Sequence, residues 1–181
     1  MKIFCSGIGG IGLSAYASLQ NVAGHEVHGS DRSQSELLDD LASQGIKVSI
    51  DQSGTAIPEG CELLVYSEAI PVEAPERAKA TELGILQQSY PQALGKMSAG
   101  YKTIAVCGTH GKSSTTAMCA RLLTEAGLDP TIVVGTKLKE LDGRNWRQGK
   151  SDLFLLEACE YRRSFGFYRP WTILMTNADG D

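Results

Sequence analysis

The sequence predicts an α/β protein of two successive units. A parallel-sheet domain spans residues 1–97, and the opening part of a second, phosphate-loop α/β domain spans 98–181. Three observations carry this expectation. Short apolar runs alternate with helical patterns in the order βαβαβ. Two of those runs lead straight into glycine turns that open helices, at Gly7 and at Gly108. The stretch Ser98-Ala99-Gly100 separates the two series.

In the first unit, Lys2 to Ser6 reads as a buried strand, and Gly7-Ile8-Gly9-Gly10-Ile11-Gly12 follows at once. This is G-x-G-x-x-G opening a helix, Ile11 to about Val22. A second strand, His25 to Ser30, ends at Asp31. An acidic residue about 20 positions after the glycines completes a dinucleotide-binding pattern. The pattern promises a diphosphate at a helix N-terminus and a carboxylate that accepts a hydroxyl or ring N–H, without saying which nucleotide. A tight strand-to-helix turn with no ligand is the plain alternative.

Further on, Ser35 to Ser43 reads as a helix with Leu37, Leu38 and Leu41 on one face. Ile46 to Ile50 and Glu62 to Tyr66 read as strands, the latter leading into Ser67-Glu68-Ala69-Ile70. Pro75 to Leu83 is a helix with proline at a tolerated early position. Ile85 to Gln87 is a short strand, and Pro91 to Met97 a short helix. In open parallel sheets ligands sit beyond the C-terminal strand ends. Gly7 to Gly12, Asp31 and Ser67 to Ile70 all fall at such ends, so three loops converge on one crevice.

The second unit begins with Thr103 to Cys107, a β-rich apolar run, followed by Gly108-Thr109-His110-Gly111-Lys112-Ser113 and a helix to about Ala126. Glycines let successive backbone N–H groups curl around a phosphate, and the helix N-terminus adds partial positive charge. Lys112 is placed to reach outer phosphates and the Ser113 hydroxyl to ligate Mg²⁺. Only two residues separate Gly108 from Gly111, so the spacing is shorter than G-x-x-x-x-G-K-[ST]. Thr131 to Val134 is a strand, Lys137 to Lys150 a loop or hairpin, and Asp152 to Leu156 a strand that ends at Glu157. Trp171 to Met175 is the last, ending at Thr176-Asn177.

Charge and cysteines narrow the function classes. The net charge of −4 argues against a general nucleic-acid binder. Residues 1–97 carry 6 Lys/Arg against 12 Asp/Glu, and residues 98–181 carry 11 against 9. The more positive half is thus the one with the second glycine turn, which suits a polyphosphate, although solvated surface charge explains so small a difference equally well. Five cysteines, odd in number and without C-x-x-C, predict reduced thiols in a cytoplasm rather than a disulfide frame or zinc site. No apolar run reaches the roughly 20 residues of a membrane helix.

Glu157 directly follows a buried strand, where a phosphate-loop site needs a carboxylate for Mg²⁺; a solvated loop residue is the bland reading. Glu160 faces substrate or pairs with Arg162 or Arg163. Those arginines stabilise phosphate or carboxylate charge, or form a surface ion-pair cluster. His110 touches phosphate or base, or shapes its turn. His25 and His28 read as structural.

Together these motifs resemble the Mur ligases. The resemblance rests on Gly7-Ile8-Gly9-Gly10-Ile11-Gly12, Gly108-Thr109-His110-Gly111-Lys112-Ser113, Glu157-Ala158-Cys159-Glu160-Tyr161-Arg162-Arg163-Ser164-Phe165 and Thr176-Asn177. Within the family it points to the branch that joins L-alanine to UDP-N-acetylmuramate, on a Rossmann-like domain followed by an ATP-binding central domain. It implies an ATP- and Mg²⁺-dependent amide-bond former of peptidoglycan synthesis. ATP would phosphorylate the lactyl carboxylate, and the alanine amine would attack the acyl phosphate and expel phosphate. Gly9, Gly10, Ile11 and Gly12 would hold the UDP-sugar diphosphate, with Asp31, Ser67 and Ala69 lining the nucleotide pocket and Glu160, Arg162 and Arg163 on the substrate side. Gly108, Thr109, His110, Gly111, Lys112, Ser113, Ser114 and Asn177 would hold ATP. Lys112 would stabilise the transferred phosphoryl group, and Ser113 and Glu157 would hold Mg²⁺.

The chain departs from the family pattern at three places. Ser113 and Ser114 stand where the family usually has Thr. Gln88-Ser89-Tyr90-Pro91 replaces a basic stretch, and the sequence ends at Asp181, before a metal-binding His and a C-terminal domain. The expectation is therefore a fragment that binds UDP-sugar and does not complete ligation alone. Other readings are a ligase attaching a ready-made peptide to the same sugar nucleotide, a non-catalytic nucleotide-binding module, and an NAD-dependent dehydrogenase resting on the first glycine turn alone.

Overall fold

A computed structural model describes residues 1–159 and 161–178, and for Tyr161, Arg162 and Arg163 the backbone alone. Packing separates the chain into Met1–Tyr90 and Pro91–Asp181.

The first unit holds β1 (Lys2–Ser6), α1 (Ile11–Val22), β2 (Glu26–Ser30), α2 (Glu36–Ser43), β3 (Lys47–Ser49), β4 (Leu63–Tyr66), α3 (Pro75–Glu82) and β5 (Leu86–Ser89). All pairings are parallel, in the order β3-β2-β1-β4-β5. Strands covered by helices on both faces read as continuous apolar runs, and Ile3, Phe4, Cys5, Leu64 and Val65 are accordingly buried. Phe4, Leu64 and Ala80 form one core cluster. Ser35 caps α2, its Oγ accepting the Leu38 N–H at 3.4 Å.

Register positions the site. Ser6 lies opposite Ser30 on one side and Tyr66 on the other. The next residues, Gly7, Asp31 and Ser67, therefore emerge side by side where the strand order reverses, the place where such sheets bind ligands.

The second unit takes most of α4 (Tyr90–Ser98), then β6 (Lys102–Cys107), α5 (Lys112–Glu125), β7 (Thr131–Leu138), β8 (Arg144–Arg147), β9 (Leu153–Glu157) and β10 (Thr172–Met175). Its sheet runs β10-β6-β9-β7-β8, parallel except for the β7–β8 hairpin. Val106, Ala120, Ile132, Val134, Leu141 and Leu155 pack between sheet and helix. Register again sets the site: Val106 pairs with Glu157 and Cys107 with Met175. Gly108, Glu157 and Thr176 consequently meet at one sheet edge.

Two segments differ from the sequence expectation. β7 continues to Leu138 rather than stopping at Val134, because β8 pairs with it, so the hairpin alternative holds. Asp142 and Gly143 both take left-handed backbone, with φ of 55° and 76°. That Asp-Gly pair is a hairpin-turn signal. Tyr161–Phe167 forms a 3-10 segment where no element was expected.

Among the described residues β10 pairs with β6 alone, and its side chains are open to water: Ile173 is 58% and Met175 64% exposed, with Trp171 just before them at 71%. Among the described residues no helix is long and apolar enough to cross a membrane, and all five cysteines are free thiols.

Candidate functional site

The first glycine turn is built from β1 and closed from β2. The Gly7 and Ile8 N–H groups both donate to the Ser30 carbonyl at 2.9 Å, and Gly10 N–H donates back to Gly7 O at 3.1 Å. Gly10 ends the turn in extended backbone as the residue before α1. Ile11 and Gly12 then supply the first helical turn, whose N-terminal dipole favours an anion.

Asp31 sits against this turn. Its Oδ2 accepts the Gly9 N–H at 2.8 Å, and its Oδ1 accepts the Arg32 N–H at 2.8 Å. The carboxylate is thus a clasp on the turn; each oxygen retains a lone pair for a ligand. On the other flank, Ser67 N–H donates to Ser6 O at 2.9 Å, while Ser67 Oγ accepts the Ala69 N–H at 3.4 Å. Gly9, Gly10, Asp31, Ser67 and Ala69 therefore gather at the C-terminal ends of β1, β2 and β4 in the first unit.

Gly12 has a reason the sequence pattern does not state. A methyl group there would lie 2.7 Å from the Tyr90 ring and 2.8 Å from its hydroxyl. The Tyr90 ring rests directly on the first turn of α1, and only glycine leaves room. Gly12→Ala is expected to destabilise the first unit by about 1–3 kcal/mol, the ordinary cost of overpacking. Urea denaturation followed by circular dichroism measures this, and an unchanged midpoint would show that the ring moves aside freely.

The second turn is drawn more tightly. Lys112 Nζ folds back to donate to the Gly108 carbonyl at 2.7 Å and to Thr109 O at 3.2 Å. The Thr109 and His110 N–H groups both donate to Asn177 Oδ1, at 2.7 and 3.1 Å. Two successive amides converging on one oxygen is an anion-binding nest, here filled by a side-chain carbonyl. Thr176 Oγ1 adds hydrogen bonds to the carbonyls of Cys107 at 3.2 Å and His110 at 2.5 Å. Gly111 caps α5 in left-handed backbone, and Ser114, one residue beyond Ser113, is exposed.

Ser113 Oγ donates to Glu157, 3.1 and 3.0 Å from its two oxygens, and Gly135 N–H donates to Oε2 at 2.9 Å. A hydroxyl and a carboxylate in contact beside a phosphate loop fit Mg²⁺, which takes one or two protein oxygens and fills its octahedron with phosphate and water. The described residues contain no group of three acidic, His or Cys side chains able to cage a metal by themselves. Beside the turn lies a cavity of about 520 Å³, walled by Cys107, Phe165, Tyr168, Ile173 and Met175.

Glu160 and the side chains of Arg162 and Arg163 lie outside the described residues. Sequence reasoning missed Gly135, although a glycine inside a strand signals close approach by another group. It also missed Thr176 as a brace of the second turn. Glu76 and Arg77 gave no signal as the second and third residues of a short helix. Yet Glu76 is 1% exposed and accepts hydrogen bonds from Ser6 Oγ and Ser30 Oγ. Burial pushes its carboxyl above the usual range, the serine bonds pull it back, and Asp51 and Asp31 add to the rise. Arg77 stacks 3.8 Å over the Tyr66 ring and donates to Ile70 O at 3.4 Å, holding the Ser67–Ile70 loop.

A wholly parallel sheet and a mixed sheet, each with a glycine turn at the C-terminal end of an inner strand, define an α/β protein of two units. More specifically, the chain belongs to the Mur ligase family: the model of the "Mur ligase family, catalytic domain" matches residues 2–102. It is 40% identical over 181 residues to UDP-N-acetylmuramate–L-alanine ligase of Clostridium novyi, covering 99% of this chain and 39% of that protein. The same ligase of Agathobacter rectalis is 42% identical over 176 residues, covering 97% and 38%. Among solved structures, the murein peptide ligase of Psychrobacter arcticus superposes with a TM-score of 0.91 at 26% identity, over 100% of this chain and 44% of that one. The UDP-N-acetylmuramate–alanine ligase of Thermotoga maritima gives 0.87 at 30%, over 100% and 42%. The chain therefore spans about two fifths of the length of these curated relatives.

Proposed function

We propose that the chain is the sugar-nucleotide-binding unit and the start of the ATP-binding unit of a UDP-N-acetylmuramate–L-alanine ligase. The observation that carries this is the second turn: Lys112, Ser113 and Glu157 gather at one sheet edge, beside a nest of backbone amides. Phosphoryl transfer asks a protein mainly for positioning and charge neutralisation, and those groups supply both. The Lys112 ammonium would exchange two loop carbonyls for phosphate oxygens. An anion entering the nest would take the Thr109 and His110 amides from Asn177. Ser113 and Glu157 would hold Mg²⁺, which supplies neutralising charge when bound with nucleotide.

The first turn would hold the UDP diphosphate at the N-terminus of α1, with Asp31 keeping the Gly9 amide in place. A dehydrogenase uses the acid of this pattern on a cofactor ribose. Here a second phosphate-type glycine turn accompanies the first, which a dehydrogenase reading leaves unexplained.

Calorimetric titration of the chain with UDP-N-acetylmuramate and, separately, with Mg·ATP tests the reading. Two independent sites are expected, with no phosphate release when L-alanine is added. Failure to bind either ligand overturns it, and steady turnover contradicts the expectation that the rest of a ligase is needed. Glu157→Gln is expected to raise the Mg²⁺ concentration required for ATP binding by about tenfold or more, the scale on which metal-site residues act. An unchanged Mg²⁺ requirement removes Glu157 from the metal site.

A murein peptide ligase is the second reading, supported by the TM-score of 0.91. The 39–42% identities to alanine ligases weigh against it. Activity of a full-length protein carrying this chain on L-alanine against a tripeptide separates the two.

A further inference from the structure

Glu76 is the one carboxylate among the largest fully buried side chains, and it lies beneath the first glycine turn rather than in it. Both of its oxygens are engaged, Oε2 by the Ser6 hydroxyl and Oε1 by the Ser30 hydroxyl. These serines are the final residues of β1 and β2 and sit opposite each other in register. Their carbonyls are the ones that anchor the loops above. Ser30 O takes the amides of Gly7 and Ile8, and Ser6 O takes the amide of Ser67.

We infer that Glu76 is a positioning residue for the diphosphate at the first glycine turn, acting through Ser6 and Ser30 to fix the Gly7–Gly10 and Ser67 backbones. This rests on the sugar-nucleotide reading of that turn. One side chain on α3 thereby joins two strand ends and the two loops anchored on them, while its neighbour Arg77 holds the Ser67–Ile70 loop from the same helix through Ile70 O. A buried carboxylate is costly unless well bonded, and an apolar side chain would fill the same space at lower cost. What an apolar side chain lacks is the pair of acceptors that orient the two hydroxyls. Small displacements of a phosphate-binding backbone weaken every amide contact at once, so the positioning acts on affinity rather than on the fold.

The test compares wild type, Glu76→Leu and Glu76→Gln in the 181-residue chain. Amide hydrogen exchange without ligand is read residue by residue, and affinity for UDP-N-acetylmuramate by calorimetry. Glu76→Leu is expected to speed exchange at Gly7, Ile8 and Ser67 at least tenfold, leaving β3 and β5 unchanged, and to weaken UDP-sugar binding at least tenfold. Glu76→Gln, which keeps an acceptor, is expected to recover both to within about threefold of wild type. Unchanged exchange at those three amides overturns the inference. So does a loss of protection spread evenly over the whole first unit, which marks a purely structural residue. Should Glu76→Leu not fold, Ser30→Ala removes one of the two bonds and is read in the same way. If wild type binds no UDP-sugar, the sugar-nucleotide reading fails on its own, and the exchange result still decides whether Glu76 sets the turn.

Discussion

Gly108→Ala is expected to abolish ATP binding while leaving UDP-N-acetylmuramate binding intact. Gly108 has φ of +132°, a conformation side chains rarely adopt. A methyl group there would also collide with Thr176 Oγ1 and stand 3.1 Å from the Asn177 backbone. Relief requires moving either the turn or the segment after β10, and both shape the nest at Thr109 and His110. Losing the aligned amides together with the Lys112 approach removes several charge-assisted hydrogen bonds, each worth about 1.5–3 kcal/mol. Two such losses correspond to a factor of at least about 100 in affinity. Calorimetry with Mg·ATP and with the UDP-sugar on one sample reads both sites. Equal loss of both ligands would indicate general unfolding, and retained ATP affinity would show that this turn does not hold the nucleotide.

The second large effect concerns stability. Phe154→Ala is expected to cost the second unit about 3–5 kcal/mol, the range for removing a buried ring from a packed core. Phe154 has 0% exposure in β9, between β6 and β7, and its ring meets Tyr101 with centroids 5.3 Å apart. A small domain has a total stability of about 5–15 kcal/mol, so the loss consumes a large share of it. Both tryptophans, Trp146 and Trp171, lie in this unit, so their fluorescence in urea follows it alone. The fluorescence midpoint is expected to fall steeply, whereas a change under about 1 kcal/mol would show that neighbouring side chains close over the gap.

Much of the fold was legible because its signals are local. Lys2–Ser6 and Thr103–Cys107 are apolar runs ended by glycine, and a buried parallel strand needs little more to be recognised. The places of Asp31, Ser67 and Glu157 at strand ends were legible because chain order puts each of them where an apolar run stops. What escaped the sequence is what depends on contacts across the sheet. Glu76 looks like any acidic residue at a helix start until Ser6 and Ser30 are brought above it. Gly12 looks like one letter of a motif until Tyr90 is seen against it. The clasp on Asp31 escaped for a related reason: a motif states that an acid is present, and only coordinates state which amides it already holds. The extension of β7 was signalled by Asp142-Gly143, a two-residue cue easily lost in a polar stretch.

The outer margin of β10 bears on how this polypeptide behaves in a test tube. A strand with one bonded side, bare Ile173 and Met175, and no lysine or proline within Thr172–Met175 lacks the features that keep sheets from adding copies of themselves. Concentrated preparations should drift toward oligomers through that margin. Ile173→Lys should keep them dispersed, while altering one wall of the cavity beside the second glycine turn.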